Sequence, residues 1–519
     1  MDQPKGWSWQ DRAEGSILRG TALDPSVEPV DGVRAYPTAY LPEHLLITQD
    51  LDHEANDREI QALRDAAGAF GWILEMESPD AGRGLGADGE LIPGVPGFLR
   101  ARLTTPEEPQ RGESPVAPDA WRVLQRARRA TRSTMPRTSL EHVLAIDPVG
   151  LNPFSKTNPF SKTNPFSKTN PVRGGGGSDD YLEPGRGARQ PVGWVGAAPA
   201  RGPAPKSGRR PVIAVLDTGC GVHDWLPDDI VTRGAELDGV PVGLTDDADP
   251  ELYPDLYGQL DGEIDAVAGH GTFIAGLIRQ AAPDADILSI RMAGSLGVID
   301  ESTFLVTVAQ VVELLRRHRE DPRTGHPIDV INLSLGYYHE TPTDGLFSTT
   351  LFQLLAEARR LGCVVVCSAG NDAIDRPSFP ASLWPWPGAD NGIRPDRAAP
   401  HVSVGALNPS GQSIALFSNV GPWVQVYAPG AAVVSTSPGF TGGQQAASRA
   451  DFDGLRRETL DPDDYRGGFA VWSGTSFSAP YVAGRIAAQL GSVPLAGASA
   501  ETARDAVAKV LEALPTPRV

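Results

Sequence analysis

The feature that most constrains this chain is an alternation of short apolar runs with helical segments from Pro211 onward. The runs lack the polar alternation of half-exposed strands, which is typical of parallel strands covered on both faces. They lie at 212–216, 287–290, 330–333 and 364–366, and the helical segments lie at 272–279, 302–317 and 349–360. This alternation predicts an α/β fold with a doubly wound, mostly parallel sheet, whose active crevice lies at the carboxyl ends of the strands.

A different pattern occupies residues 44–146. Strand-like runs at 44–48, 72–74, 98–103 and 140–146 enclose two segments with one apolar helical face, the second of which Asp119 can cap. The resulting order, βαββαβ, predicts a small α+β domain of the ferredoxin-like type. The predicted divisions are a disordered N-terminus (1–40), this domain (41–148), a linker (149–208), the α/β domain (209–495) and a C-terminal helix (496–519).

The predicted linker contains a repeat. Asn152-Pro153-Phe154-Ser155-Lys156-Thr157 recurs at 158 and 164, and a Gly-rich stretch follows at 174–177. Proline in every copy excludes helix and central strand, so an extended, solvated chain is expected. The repeat is either a plain tether or a docking or processing motif with three apolar handles.

Composition restricts the class of partner. Forty-six basic and sixty-five acidic side chains give a net charge of −19, which argues against nucleic acid or an anionic membrane as a partner. No apolar run approaches the length of a membrane span, and the N-terminal residues resemble no secretion signal. Three cysteines, of which Cys363 and Cys367 lie too far apart along one strand to bridge, suit a reducing compartment. A cytoplasmic location is expected.

Four residues of complementary chemistry lie at strand ends or helix starts. Asp217 ends the first strand, His270 lies between two glycines before a helix, and Asn371 follows the strand at 364–366. Ser476 lies in Ser473-Gly474-Thr475-Ser476, where a loop enters a helix whose N–H groups favour developing negative charge. Each residue alone is an ordinary turn or capping residue. Together they supply a nucleophile, a base, an orienting carboxylate and an oxyanion donor.

With these four residues and the motifs around them, residues 209–495 resemble the subtilisin family of serine proteases. The stretches that carry the resemblance are 215–219, 270–272 with 275–276, 331–336, 368–371, 428–430, and 474–476 with 479–480. The resemblance implies a triad of Asp217, His270 and Ser476, with Asn371 and the Ser476 N–H forming the oxyanion hole. It also implies that the backbone of two segments binds an extended substrate: Ser334, Leu335 and Gly336, and Ser368, Ala369 and Gly370.

The chain departs from the family pattern in a few places. Phe273 stands where a second His is usual, Phe477 where Met is usual and Tyr481 where His is frequent, which we interpret as packing changes. An insertion at 437–472 either lines the cleft or covers an edge. The chemistry requires no cofactor. Some family members bind calcium, but the acidic residues here lack EF-hand-like spacing and no metal ligand is assigned.

The resemblance implies a serine endopeptidase that acts on peptide or protein substrates. Two alternatives remain open: an inactive module that binds peptides in the same cleft, and a ligase or cyclase that transfers the acyl group to an amine. In many subtilisins a βαββαβ propeptide assists folding and inhibits the enzyme. Residues 44–146 have that order and position, so the N-terminal domain is expected to be an intramolecular inhibitor or chaperone.

The segment between Asp217 and His270 is strongly acidic. Residues 224–265 contain thirteen acidic side chains and one basic side chain, Arg233. The helix after Asp119 carries five arginines, at positions 122, 126, 128, 129 and 132. The acidic segment either forms a solvated surface or produces an electrostatic potential that attracts this helix and basic substrates.

Overall fold

The computed structural model describes most of the chain. The described residues are 3–16, 20–49, 52–77, 90–106, 116–146, 181, 185–258, 263–341, 348–389, 391–442, 446–491 and 499–517. The Asn-Pro-Phe repeats and the Gly-rich stretch of the predicted linker lie outside the described residues.

The N-terminal part contains a sheet with helices on one side. Its elements are α1 (Trp9–Ser16), β1 (Thr21–Ala22), β2 (Ala39–Gln49), α2 (His53–Gly68), β3 (Ile73–Glu77), β4 (Glu90–Ile92), β5 (Val95–Thr104), α3 (Ala120–Thr131) and β6 (Thr138–Ala145). The antiparallel strands run in the order β6-β2-β5-β3. Asp119 caps α3 by accepting from the N–H groups of Trp121 and Arg122, as the sequence indicates. Leu45, Leu63, Trp121 and Leu124 are fully buried between the sheet and the helices.

The second part is built on a parallel sheet. Its elements are β7 (Gln190–Val192), β8 (Val212–Asp217), β9 (Val231–Arg233), β10 (Glu236–Leu237), β11 (Val240–Pro241), α4 (His270–Ala281), β12 (Asp286–Arg291), β13 (Val298–Asp300), α5 (Glu301–Glu320), β14 (Val330–Leu333), α6 (Thr349–Arg360), β15 (Val364–Ser368), β16 (His401–Leu407), β17 (Val426–Pro429), β18 (Val433–Thr436), β19 (Arg449–Phe452), β20 (Leu455–Glu458), β21 (Phe469–Trp472), α7 (Thr475–Gly491) and α8 (Ala500–Ala513).

The main sheet has the order β17-β16-β15-β14-β8-β12-β9, and all of its neighbours are parallel. The predicted α/β class with a parallel sheet is therefore confirmed. The sequence patterns did not identify β9, β16 and β17, because β9 has three residues, β16 contains His, Ser and Gly, and β17 ends in Pro. These strands form because a neighbouring strand supplies their hydrogen bonds, which local hydrophobicity does not reveal.

Two segments expected to be unstructured pack on the protein. In the predicted disordered N-terminus, the Trp7 indole donates to the Leu256 carbonyl at 2.9 Å and Arg12 donates to the Asp255 carbonyl at 2.8 Å. In the predicted linker, β7 pairs with β21, and the Ser473 hydroxyl donates to the Gly187 carbonyl at 2.8 Å. Residues distant in sequence supply these contacts. Contacts of this kind leave no local periodicity, so the sequence of neither segment indicates that it is ordered.

The two parts of the chain share a sheet edge. Strand β6 pairs with β13, with Leu144 opposite Ile299, so the N-terminal sheet continues onto the second part. Leu144 itself and Ile146, which follows the strand, are buried in the core of the second part.

None of the described helices is long and apolar enough to cross a membrane.

Helix α7 carries Ser476 and crosses the sheet beside α4, where Gly484 permits close packing. A Cβ added at Gly484 would lie 2.7 Å from the Ala281 Cβ, so one helix must move. We expect Gly484→Ala to destabilise the protein by about 1–3 kcal/mol, the usual cost of overpacking. Urea unfolding measures the change. Gly68→Ala is the control, since nothing lies within 4 Å of its added Cβ, and an equal loss in both variants would contradict this account.

Candidate active site

The centre of the site is a buried pair of side chains from β8 and α4. The His270 Nδ1 lies 2.8 Å from the Asp217 Oδ1, which also accepts the Thr218 N–H at 2.8 Å. Both residues are fully buried. Because the carboxylate holds a proton on Nδ1, Nε2 is the basic nitrogen of the neutral ring. Within the described residues, His270 Nε2 has no hydrogen-bond partner.

Glycine permits the approach of the two segments that carry this pair. A Cβ at Gly271 would lie 2.0 Å from the Gly219 carbonyl oxygen, closer than any side chain tolerates. Gly269 begins the helix with a φ of 80°, in the region that favours glycine. The pattern Gly-His-Gly therefore reflects a backbone contact that positions His270 against Asp217.

Ser476 is the second residue of α7 and is also buried. Its hydroxyl donates to the Ser334 carbonyl at 3.3 Å, and the Ser334 hydroxyl donates to the Ser476 carbonyl at 2.9 Å. The Ser476 hydroxyl must turn away from Ser334 to use His270 as a base. Catalytic hydrogen bonds are often loose before substrate binds, so this geometry is compatible with a nucleophile.

Asn371 lies beside the start of α7. Its Oδ1 accepts the Thr475 N–H at 2.8 Å, which fixes the orientation of the side-chain amide. The Gly370 N–H donates to the Thr475 hydroxyl at 3.1 Å and ties the same two segments together. The Asn371 Nδ2 lies 3.6 Å from the position of a Cβ on Gly474, so the donor end of the amide lies near the residues that precede Ser476.

The two segments expected to bind substrate have different environments. Gly336 exchanges two backbone hydrogen bonds of 3.0 Å with Ala145, while the Gly297 carbonyl accepts the Ile146 N–H at 2.8 Å. The chain itself therefore pairs with the segment Ser334-Leu335-Gly336. In Ser368-Ala369-Gly370, the Ala369 carbonyl accepts from Ser378 and Asn419 at 2.9 Å each.

Two aromatic side chains pack against His270 and a third packs against both of them, and the sequence motifs assigned none of the three to the site. The rings of Trp472 and Phe477 lie 5.5 and 5.2 Å from its imidazole. Phe273 lies 4.5 Å from Phe477, so the two Phe departures from the family pattern pack against each other. Arg189 stacks on Trp472 with 4.7 Å between guanidinium and ring, and it comes from the predicted linker.

Part of the insertion at 437–472 lies near His270. A Cβ on Gly269 would lie 2.9 Å from Pro438 and 3.1 Å from Phe440. The hairpin β19–β20 is exposed along its whole length, with Phe452 and Leu455 pointing outward. The base of the insertion therefore contacts the helix start that carries His270, while its hairpin extends into solvent.

The acidic segment pairs with partners other than the Arg-rich helix. Asp255, Asp228, Asp246 and Asp238 form ion pairs with Arg12, Arg233, Arg291 and Arg317, respectively. On α3, two arginines at 122 and 126 stack on Phe70, and Arg129 pairs with Glu28. These three arginines therefore contact the N-terminal part itself, and attraction of basic groups by the acidic segment stays a prediction.

Glu251, which the sequence showed only as one acidic residue among many, is buried beside the Asp217–His270 pair. It accepts from the hydroxyls of Thr218 and Thr272, the latter at 2.5 Å, and from the Gly271 N–H at 3.1 Å. Burial raises the pKa of Glu251 to about 7. Sequence alone gives no sign that Glu251 is buried beside this pair, because the surrounding segment is acidic throughout.

A second buried polar cluster joins the N-terminal part to the second part. His142 contacts Glu301 at 2.5 Å and Glu340 at 2.6 Å, one with each ring nitrogen, and Glu340 lies 3.2 Å from His339. Of the described residues, His142, His339 and Glu340 form the group that could hold a metal ion. Contacts of 2.5 and 2.6 Å are those of charge-assisted hydrogen bonds, and nitrogen ligands do not suit calcium.

Comparisons with known proteins agree with the motifs. A family model described as "Subtilase family" matches residues 208–512. An "Intracellular serine protease" of Paenibacillus polymyxa is 27% identical over 291 residues, covering 54% of this chain and 66% of that protein. A "Subtilisin-like protease 4" of Trichophyton tonsurans is 26% identical over 280 residues, covering 52% of this chain and 56% of that protein.

A solved structure is also similar. It is described as a cold adapted subtilisin-like serine proteinase and is 22% identical, with a TM-score of 0.36 over 58% of this chain and 82% of that chain. This chain spans less than two thirds of the length of both curated relatives.

Proposed function

Because this chain belongs to the subtilase family, we propose that it is a serine endopeptidase that hydrolyses peptide bonds through an acyl-enzyme. The observation that carries the proposal is the Asp217–His270 hydrogen bond of 2.8 Å, together with Ser476 at a helix start, whose neighbour Phe477 has its ring 5.2 Å from the His270 imidazole. A buried carboxylate on Nδ1 gives the imidazole the tautomer and orientation that a general base requires.

The proposed reaction follows from these positions. Ser476 Oγ attacks the substrate carbonyl while His270 Nε2 takes its proton, and Asp217 stabilises the imidazolium that forms. The oxyanion accepts hydrogen bonds from the Ser476 N–H and the Asn371 amide. His270 then protonates the leaving amine, and a water activated by the same nitrogen hydrolyses the ester.

We also propose that the N-terminal domain restrains the protease. Ala145 pairs with Gly336 as an extended substrate would, and Ile146 adds a bond to Gly297. Main-chain pairing of this kind gives affinity without demanding a particular side chain. A segment held at this position competes with substrate for the same backbone groups.

The His142 cluster supports this restraint. His142 is on the last strand of the N-terminal domain, whereas Glu301 and Glu340 belong to the second part. Burial opposes a charged imidazole, but the two carboxylates outweigh it and raise the pKa of His142 to about 9. The imidazolium is therefore a charged bridge between the two parts at neutral pH.

The three free cysteines are all buried, and a relative carries the name "Intracellular serine protease". Both observations support action in a reducing compartment. The natural substrate is a peptide or protein whose extended backbone pairs with Gly336.

The first test of the proposal is covalent labelling of Ser476. A fluorophosphonate probe should label the full-length chain on this residue, and Ser476→Ala should remove both labelling and peptide hydrolysis, because no acyl-enzyme can form. Mass spectrometry locates the label. Ser478→Ala, two residues along the same helix, is the matched control and should keep the label on Ser476. Hydrolysis that persists in Ser476→Ala would refute the mechanism.

The second test concerns the oxyanion donor. Asn371→Ala should lower kcat by roughly 10²–10³-fold, the magnitude known for loss of the equivalent donor in subtilisin, with little change in KM. Steady-state kinetics on a peptide substrate separate the two parameters. Asn371→Asp keeps the acceptor for the Thr475 N–H but lacks the donor, and it should be equally slow. An effect confined to KM would exclude the assigned role.

The third test concerns the pH dependence of the restraint. His142 has an ordinary pKa of 6.5 and a raised value in the domain contact, so its stabilisation is fully present below pH 6.5 and is lost as pH rises toward 9. Hydrogen exchange of residues 138–146 in the full-length Ser476→Ala chain, corrected for intrinsic rates, should show more protection at pH 6.5 than at pH 8.5.

His142→Gln should remove this pH dependence, because glutamine does not titrate. His53→Gln, at an exposed position of the same domain, is the control and should retain it. Equal protection of the wild-type contact at both pH values would show that His142 does not control it.

A further inference from the structure

We infer that Glu251 is a positioning residue that acts through Thr218 on the Asp217–His270 pair and allows full acylation only when it is ionised. The inference rests on the proposed function, since it assigns a role within that reaction. It is carried by the hydrogen bonds of one buried carboxylate that touches both segments bearing the pair.

Glu251 connects the end of β8 to the start of α4. Its Oε1 accepts from the Thr218 hydroxyl and, at 3.1 Å, from the Gly271 N–H, while Oε2 accepts from the Thr272 hydroxyl at 2.5 Å. Thr218 directly follows Asp217, and Gly271 directly follows His270. Glu251 is only 4% exposed, so water does not replace these contacts.

The Thr218 hydroxyl has one proton and two acceptors. Its oxygen lies 3.1 Å from the Asp217 Oδ1 and still closer to the Glu251 Oε1. The Gly271 N–H donates to the same oxygen at 2.8 Å. The hydroxyl therefore donates either to Glu251 or to Asp217, and not fully to both.

The protonation state of Glu251 decides between these acceptors. An ionised Glu251 is the stronger acceptor and draws the Thr218 proton, so the charge of Asp217 remains available to the His270 imidazolium. A protonated Glu251 has lost acceptor strength, and the Thr218 hydroxyl turns to Asp217. Asp217 then stabilises the imidazolium less, and proton transfer from Ser476 slows.

Other charged groups face Glu251 from the elements packed around it. Asp217 lies at the end of β8, and Asp249 lies two residues before Glu251 on the same segment. Both carboxylates disfavour the ionised form of Glu251. Cys220, in the loop after β8, is a neutral thiol whose pKa burial raises to about 12. From β12, Arg291 directs its guanidinium to Asp246. Burial is the main reason that the pKa of Glu251 is raised to about 7, so both states are populated near neutral pH.

The test is a comparison of acylation rates across pH. The rate at which a fluorophosphonate probe labels Ser476 is measured for the full-length wild type and for Glu251→Gln between pH 5.5 and 8.5. Glutamine keeps the size and one acceptor oxygen but never ionises. The wild-type to variant rate ratio should rise from about 1 at pH 5.5 to about 10 at pH 8.5, the effect of one unit in imidazole basicity. A purely structural Glu251 would give a ratio that does not vary with pH.

A double-mutant comparison tests the route through Thr218. In a Thr218→Val background, which has no hydroxyl to divert, Glu251→Gln should give a constant ratio at all pH values. In a Thr218→Ser background, which keeps the hydroxyl, the ratio should still rise with pH. This pair tests the inference even if Glu251→Gln destabilises the protein, because both backgrounds carry the same change.

The outcomes separate this inference from the proposed function. If the wild type is not labelled on Ser476 at any pH, the proposed function fails. If labelling occurs but the Glu251→Gln ratio is flat, or the ratio still rises in Thr218→Val, only the role of Glu251 through Thr218 is refuted.

Discussion

The site depends on one close approach of backbone to backbone. Gly271, at the start of α4, lies so near Gly219 that an added Cβ would be 2.0 Å from its carbonyl oxygen. This contact brings a histidine from a helix start against an aspartate from a strand end, although 53 positions separate them in the chain. Because the approach leaves no room for side chains, glycine is required on the helix side.

The charge distribution around this contact is as important as its geometry. Asp217 and Glu251 are both buried, and burial disfavours two carboxylates so close together unless hydrogen bonds and an imidazole offset the cost. Thr218, which follows Asp217, and Thr272, two positions after His270, provide hydrogen bonds of this kind to Glu251. The arrangement therefore links the stability of the site to the proton balance on which the proposed reaction depends.

Contacts between the two parts of the chain follow a similar principle. The end of β6 pairs with β13 and, through Ala145, with Gly336. The His142 imidazole lies between two carboxylates of the second part. Backbone pairing determines where the segment lies, whereas the buried ion pairs make its separation costly at neutral pH.

The sequence by itself determined the family and the parallel α/β sheet and predicted the four residues proposed for catalysis, because apolar periodicity and glycine spacing are local properties. Tertiary structure alone decided that residues near the N-terminus pack through Trp7 and Arg12, that the α3 arginines serve their own domain, and that Glu251 and His142 are buried beside other charges. Each of these depends on contacts between distant segments. An exposed and a buried carboxylate look identical in a sequence, and only the fold determines which one loses its water.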